Sequence, residues 1–241
     1  MKKILTIIGL AAASLAGANA AALISFTENG TGADVSGDFP INFISDTLTG
    51  IDLTAASNLN TATLSLGSGA TAGAAGGSLG FGNAGNASTL SGAITAQLYH
   101  SFTLTPSSGY KLNISGVTYN ADASSGTSTF NFDLLSSATG FTSSNSLGTF
   151  SVVNGAAASG TIDLSANSSL QGVDSSIEFR IYVNRSAGTG LAAYYADDAI
   201  NSGLFSINGS VAAVPELKTW ALIGIGASFM LWNLRRRRFN V

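Results

Sequence analysis

Apolar and polar residues alternate one by one in short runs through much of this chain, and this pattern constrains its fold most. Phe130, Phe132 and Leu134 alternate with polar neighbours, and the run from Ile177 to Val183 repeats the pattern. A period of two places successive side chains on opposite faces of a β-strand. Each run therefore predicts a strand with one buried face and one wet face. The same period occurs at 102–104, 111–114, 117–119, 161–164 and 205–211.

Glycine-containing pairs between these runs predict turns. They are Ser108-Gly109, Ser115-Gly116, Ser125-Gly126, Asn154-Gly155 and Ser202-Gly203. We find no helical period with caps in the body, so the chain is predicted to be all-β. Many short antiparallel strands favour a jelly-roll-like antiparallel β-sandwich over residues 21–213. A stretch of this length is enough for one two-sheet core.

One part of this body is poorly specified by its sequence. No Asp, Glu, Lys or Arg occurs from Leu53 to Tyr110, and residues 67–92 hold nine glycines among small residues. The stretch from 67 to 92 fits a flexible insertion, a loop-rich set of strands or a glycine-packed sheet edge.

The N-terminus has the three parts of an export signal. Lys2 and Lys3 precede an uncharged run from Ile4 to Ala16, and Ala18 and Ala20 form a small-x-small cleavage site. We predict a signal helix over residues 1–20, removed by signal peptidase after Ala20 or Ala22. An uncleaved membrane helix is the alternative, but the run is short and no stop-transfer pattern follows. The chain has no cysteine, which excludes a lipid-anchored N-terminus and disulfides.

The C-terminus reads as a membrane segment. Residues 220–234 carry no charge, and as a helix they span about 22 Å against roughly 30 Å of hydrocarbon. Starting at Leu217 lengthens the predicted transmembrane helix to 217–234. A block of four arginines follows, and the positive-inside bias keeps it in the cytoplasm, with the body outside: Arg235, Arg236, Arg237 and Arg238. A buried C-terminal helix of a soluble domain is the alternative.

Val214, Pro215 and Glu216 stand directly before this segment. Together with the apolar run and the arginines, they resemble the PEP-CTERM sorting signal of exopolysaccharide-producing Gram-negative bacteria, here over residues 214–238. Leu217 stands where that family has a second proline. The resemblance implies that an exosortase, a membrane-embedded processing enzyme, recognises residues 214–216 and cleaves the tail. A plain single-pass membrane anchor is the alternative. The pattern of residues 102–211 also resembles the ectodomains of such proteins, which implies a jelly-roll-like sandwich without known catalytic residues.

The charge of the body excludes one class of partner. Residues 21–213 contain twelve acidic and three basic residues, a net charge of −9 between two basic ends. A nucleic-acid-binding surface needs the opposite sign, so no nucleic-acid partner is expected.

Few residues suggest chemistry, and we predict neither a cofactor nor enzymatic activity. His100 is the only histidine, and neither Ser91 nor Ser101 lies in a nucleophile-elbow context. We expect His100 to be a strand-end or loop residue. Paired carboxylates for glycoside hydrolysis could come from a set that solvated strand faces explain more simply: Asp122, Asp133, Asp163 and Glu178.

Two further groups suggest ligands. Asp197 and Asp198 could contribute to a calcium site, although a turn explains them more simply. Tyr182, Tyr194 and Tyr195 are candidates for a sugar-stacking platform, but outward tyrosines are common on sheets without any ligand.

The sequence therefore favours an exported cell-surface or extracellular-matrix protein with a structural or adhesive body. Its expected partners are signal peptidase, the membrane and an exosortase-type enzyme, with exopolysaccharide as a further candidate. We expect it to be held in the inner membrane by its C-terminal helix, and to reach the surface or matrix after processing. The alternatives are a carbohydrate-binding module of an exopolysaccharide matrix and, third, a secreted hydrolase.

Overall fold

A computed structural model describes residues 21–28, 39–48, 50–72, 79–121, 128–153, 158–189, 193–196, 204–214, 226 and 228–230. Most of these residues lie in strands. The strands are β1 (Ala21–Glu28), β2 (Ile41–Asn42), β3 (Ile51–Ala55), β4 (Leu59–Leu66), β5 (Leu79–Phe81), β6 (Tyr99–Pro106), β7 (Tyr110–Ala121), β8 (Thr129–Ser136), β9 (Gly148–Val153), β10 (Ala158–Asp163), β11 (Gln171–Val173), β12 (Ile177–Ala187), β13 (Ala193–Ala196) and β14 (Leu204–Ala213). The helical elements are α1 (Leu90–Thr95) and single 3₁₀ turns at Ala84–Asn86, Ser143–Asn145 and Ser168–Leu170.

The strands form two antiparallel sheets and one small pair. Sheet A has the order β10-β7-β14-β1-β3, with β11 also paired to β7. Sheet B has the order β2-β4-β6-β12-β8-β9, and β13 pairs with β5. The fold is therefore an all-β sandwich, as the alternation predicts.

Aromatic side chains join the two sheets. Phe102 of sheet B stacks on Phe205 of sheet A with ring centroids 4.6 Å apart, and Tyr119 of sheet A stacks on Phe150 of sheet B at 3.8 Å. Ile181, in the middle of sheet B, is also fully buried. Burying a large apolar side chain contributes about 1.5–3 kcal/mol, so this interface is the main source of stability.

The structure places the predicted runs in β6, β7, β8, β10, β12 and β14, but one predicted turn is wrong. Ser115 and Gly116 lie inside β7, which continues from Tyr110 to Ala121. Opposite them Asn208 pairs with Gly116 and Gly209 with Ile114, so Ser115 is the extra residue of a β-bulge. The turn-like pair thus bends a central strand and does not end it.

Close packing fixes the described residues of the glycine-rich stretch. A Cβ on Gly69 would lie 1.8 Å from the Ala96 carbonyl oxygen, and one on Gly67 would lie 2.3 Å from that of Gln97. Only glycine allows this approach. Helix α1, which the sequence analysis misses, begins nearby, and the Thr89 hydroxyl caps it by accepting the Gly92 N–H at 3.1 Å. Residues 73–78 lie outside the described residues.

The sandwich begins and ends close to the two predicted terminal signals. Strand β1 starts at Ala21, and the predicted signal helix, residues 1–20, lies outside the described residues. Strand β14 ends at Ala213, and the Val214 N–H donates to the Gly109 carbonyl at 2.7 Å. Of the predicted transmembrane segment only Gly226 and residues 228–230 are described, as helix. Within the described residues, no helix has the length and apolar character that a membrane span needs.

Candidate functional site

His100 and Ser101 cannot act together because the strand separates them. They are consecutive residues of β6, so their side chains point to opposite faces of sheet B. His100 faces the core, where it is fully buried and its ring stacks on Phe81 with centroids 3.9 Å apart. Ser101 faces outward and donates a hydrogen bond to the Glu178 carboxylate at 2.6 Å. Ser91 lies in α1 and is exposed.

Burial controls the protonation of His100. Its location in the core lowers the pKa of the imidazole to about 3, and a hydrogen bond with the Gly80 backbone only partly opposes this effect. The ring is therefore neutral at physiological pH. The sequence predicts a strand-end or loop histidine; His100 is near the start of β6 but belongs to the core.

The candidate carboxylates are not brought together. Asp133 pairs with Tyr182, and Glu178 lies four residues along the same strand, about 13 Å away at the usual rise per residue. Glycoside hydrolysis needs two carboxyl groups about 5–9.5 Å apart. Asp163 ends β10 in the other sheet and is exposed, and Asp122 lies outside the described residues.

Arg180 is the centre of a cluster on the outer face of sheet B, the face turned away from sheet A. Its guanidinium meets the Glu178 carboxylate through Nε at 2.8 Å and through Nη2 at 3.3 Å, and Nη1 donates to the Tyr182 hydroxyl at 3.3 Å. It also lies over two rings, 4.3 Å from the Tyr99 centroid and 3.9 Å from that of Phe141. The charge of Arg180 is therefore satisfied by contacts within the protein, which indicates a structural role.

A second polar cluster lies further along the same face, and it corrects one prediction. Asp133 is only 7% exposed and not solvated as expected. Burial raises the pKa of its carboxyl, whereas hydrogen bonds from Thr149 and Asn184 lower it. The Asn184 amide donates to Asp133 at 2.9 Å, and Ser151 donates to the Asn131 side chain at 2.7 Å. The carboxylate is therefore solvated by fixed protein donors and not by water.

The predicted sugar platform and calcium ligands receive little support. Tyr182 lies on the outer face of sheet B but is only 1% exposed, with the Tyr99 ring 5.1 Å away and the Arg180 guanidinium hydrogen-bonded to its hydroxyl. Its direction agrees with the expectation, but its ring lacks the exposure that stacking on a ligand needs. Tyr194 and Tyr195 belong to β13, and Asp197 and Asp198 lie outside the described residues. In the described part of the chain, no three His, Asp or Glu side chains are grouped as metal ligands would be.

Hydroxyl side chains line the outer faces of both sheets. On sheet A, one row crosses five strands through Thr54, Ser25, Ser206, Thr118 and Thr161. Its members bond one another: Ser25 bonds Thr54, and Thr118 meets Thr161 at 3.1 Å. The outer face of sheet B carries a second set of hydroxyls, on β4 and β6, which the sequence analysis misses. The alternation of Thr61, Thr63 and Ser65 with apolar neighbours is the signal that could have revealed it.

A serine-rich cavity of about 450 Å³ opens at one end of β12. Ser137, Gln171, Asp174, Ser175 and Ser176 contribute to its lining. Asp174 approaches Lys111 at 3.6 Å, and the Ser137 hydroxyl accepts the Glu178 N–H at 3.0 Å. The cavity thus offers hydroxyl, amide and carboxylate groups for a polar ligand.

The predicted sorting residues are described only in part. Val214 is 39% exposed at the end of β14, whereas Pro215, Glu216 and the four arginines lie outside the described residues. The cleavage-site residues Ala18 and Ala20 also lie outside them. These assignments stay predictions.

Comparison of this chain with protein-family models, with curated proteins and with solved structures finds no match.

Proposed function

We propose that this chain is an exported surface or extracellular-matrix protein whose all-β body is sorted through its C-terminal tail. In this proposal signal peptidase removes residues 1–20, and the segment 217–234 holds the body outside the inner membrane. An exosortase-type enzyme then recognises Val214, Pro215 and Glu216 and releases the body. The protein itself performs no catalysis.

One observation carries this proposal. The described strands of the sandwich lie between the two predicted terminal signals, with β1 starting at Ala21 and β14 ending at Ala213. The predicted cleavage site and sorting motif depend only on short local patterns, yet they fall at the two ends of the sandwich as the structure describes it.

We also propose that the sandwich is a jelly roll with an insertion. Its two four-strand sets, β1-β14-β7-β10 and β6-β12-β8-β9, support a jelly roll in which the chain alternates between the two sheets except at the hairpin of β8 and β9. The insertion between β1 and β6 adds β3 to sheet A and both β2 and β4 to sheet B. This body is suited to a structural or adhesive role because its outer faces carry hydroxyls and few charges.

Intact-mass measurement of the protein from its own host tests the sorting proposal. The mature wild-type protein should begin at Ala21 and lack the residues beyond the motif. The double variant Pro215→Ala/Glu216→Ala should keep its tail and stay in the membrane fraction. Asn240→Ala, beyond the arginines, is the matched control and should be processed like the wild type.

Two outcomes contradict the proposal. A wild-type protein that retains residues 217–241 in every fraction would end the sorting claim. A mature protein that still begins at Met1 would end the claim of a cleaved signal.

A further inference from the structure

The outer face of sheet B carries six hydroxyl side chains in register, which we name the hydroxyl face. Its three cross-strand pairs between β4 and β6 are Thr61–Thr105, Thr63–Thr103 and Ser65–Ser101. Their apolar neighbours Ala62, Leu64, Phe102 and Leu104 are fully buried on the inner face. Strand geometry spaces the hydroxyl residues about 4.8 Å apart across the pair and about 7 Å apart along each strand.

Most of these hydroxyls have unused hydrogen-bonding capacity. Ser101 donates to Glu178 at 2.6 Å. Over the described residues, the other five hydroxyls make no hydrogen bond to another protein group, and all five residues are partly exposed. The row on sheet A differs, because Thr118 bonds both Thr161 and the Asn208 amide there. The free hydroxyls of the hydroxyl face are therefore available to a ligand. On sheet A, by contrast, the hydroxyls of Thr118 and Thr161 are already hydrogen-bonded within the protein.

The face is also rigid and uncharged. β-Branched threonines have restricted χ1 rotamers, so ordering them on a ligand costs little entropy. The nearest ion pair borders Thr103 and Ser101 and consists of Glu178 and Arg180, which neutralise each other at 2.8 Å. A charged polymer would find no opposite charge among the six side chains. A neutral polymer rich in hydroxyls matches this chemistry, because it can both donate hydrogen bonds to these side chains and accept hydrogen bonds from them.

We propose that the hydroxyl face binds a neutral polysaccharide strand, through hydrogen bonds from Thr61, Thr63, Thr103 and Thr105 to sugar hydroxyls. This inference deepens the proposed function and rests on it for its setting, because it names the ligand class of an adhesive body. The binding itself needs only the folded sandwich.

The test measures retention of the full-length protein, purified in detergent, on insoluble neutral polysaccharides: microcrystalline cellulose, agarose and cross-linked dextran. The double variant Thr63→Val/Thr103→Val removes two hydroxyls and preserves shape and β-branching. The matched control Thr118→Val/Thr161→Val removes two hydroxyls from sheet A. Far-UV circular dichroism and urea unfolding identify any variant that is misfolded. If the valine pair at 63 and 103 is misfolded, Thr61→Val/Thr105→Val replaces it, because it removes the neighbouring pair of hydroxyls and should lose binding in the same way.

The wild type should be retained on at least one neutral matrix. The Thr63/Thr103 valine variant should bind about tenfold more weakly, since two neutral hydrogen bonds are lost. The sheet A control should stay within about twofold of wild type, because its hydroxyls bond each other. Failure to bind any of the three matrices, equal losses for both valine pairs, or stronger retention on heparin beads would overturn the proposal. The intact-mass measurement of the protein from its host tests sorting independently of this binding assay. A failure of sorting would therefore not be mistaken for a failure of binding.

Discussion

At the scale of single residues, Arg180 and His100 show how one side chain determines what a face of the sheet can do. Arg180 connects β12 to Tyr99 of β6 and to Phe141 of the loop after β8. His100 lies on the other face of the same sheet and is kept neutral by the core. Neither role can be read from the sequence, because the partners are distant in the chain. Ser101 and Glu178, for example, are 77 positions apart.

Replacing Arg180 with Met should lower the free energy of unfolding by about 1–2 kcal/mol. The ion pair is partly exposed, with 24% of Arg180 and 27% of Glu178 accessible, so solvent screening limits its share. The two ring contacts add about 0.5–1 kcal/mol each. Urea unfolding followed by circular dichroism measures the change. Lys111→Met is the control, because its 3.6 Å contact with Asp174 is more exposed, and it should change stability by less than about 0.5 kcal/mol. Equal losses of stability in Arg180→Met and Lys111→Met would show that the contacts of Arg180 do not have this structural role.

His100 should make the protein sensitive to mild acid. Its pKa is about 3 in the folded state because of burial, whereas the unfolded chain protonates it near the ordinary value of 6.5. Below about pH 6.5 the unfolded state binds one more proton, so stability falls as pH falls, by up to about 1.4 kcal/mol per pH unit, until the folded pKa is reached. In His100→Asn this contribution is absent. Between about pH 6 and pH 4.5, the free energy of unfolding of the variant should therefore fall less steeply with decreasing pH than that of the wild type.

The raised pKa of Asp133 acts in the opposite direction, since its folded form gains a proton more readily than the unfolded one. The contribution of Asp133 to the pH dependence of stability is the same in the wild type and in His100→Asn. It therefore cancels when the pH dependences of the two proteins are compared. Asp163→Asn is the control, because the ordinary pKa of that carboxyl, 3.8, already lies below this pH window and hydrogen bonds from Ser165 lower it further. An unchanged slope in His100→Asn would show that the imidazole is not the acid-sensitive group.

At the scale of elements, the sequence predicts strands well where the alternation is regular and poorly where it is broken. Strands β8 and β12 follow directly from their period of two. Strand β1 is not predicted, because its β-bulge buries the consecutive residues Leu23 and Ile24 and so interrupts the alternation. The turn predicted at Ser115-Gly116 fails because β7 is held between β10 and β14, and this long-range pairing overrides the local turn preference. Partner strands, and hence the hydroxyl face, are set by such pairing.

The β-bulge at Ser115 depends on a glycine in the facing strand β14. We therefore expect Gly209→Ala to lower the free energy of unfolding by about 2–3 kcal/mol. A Cβ at this position would lie 2.1 Å from the Asn113 carbonyl oxygen and 2.9 Å from a methyl of Leu23. Strand β14 is central, so it cannot move aside without disturbing β7 or β1. The control is Gly92→Ala in α1, whose Cβ would be 3.3 Å from the Thr89 hydroxyl and which should be close to neutral. Thermal unfolding compares them, and similar melting temperatures would contradict the argument.

At the scale of the whole molecule, the first and last strands of the body are neighbours. Strand β14 pairs with β1 on one side and with β7 on the other, so sheet A is completed only by the last ten residues of the body. Phe205 of this strand also makes the 4.6 Å stack that joins the sheets. The sandwich should therefore be unable to form until β14 is present and paired.

Two truncations test this dependence. A chain that ends at Ala213 should unfold in one cooperative transition, whereas a chain that ends at residue 203 should lack one and expose apolar surface. Circular dichroism during urea unfolding and the binding of a hydrophobic dye measure these properties. The body contains no tryptophan, so tyrosine fluorescence supplies the tertiary signal. A cooperative transition in the shorter chain would mean that sheet A does not need its central strand.

The position of β14 has a mechanical consequence. If the body is tethered through its tail while a surface ligand grips sheet B, the pull enters the molecule along the axis of β14. The hydrogen bonds to β1 and β7 run across that axis, so both ladders carry the load in shear at the same time instead of opening one bond after another. A strand at the rim of a sheet would peel away under far less tension. If the proposed anchoring holds, the chain order thus spreads a pull on the tail over two hydrogen-bond ladders.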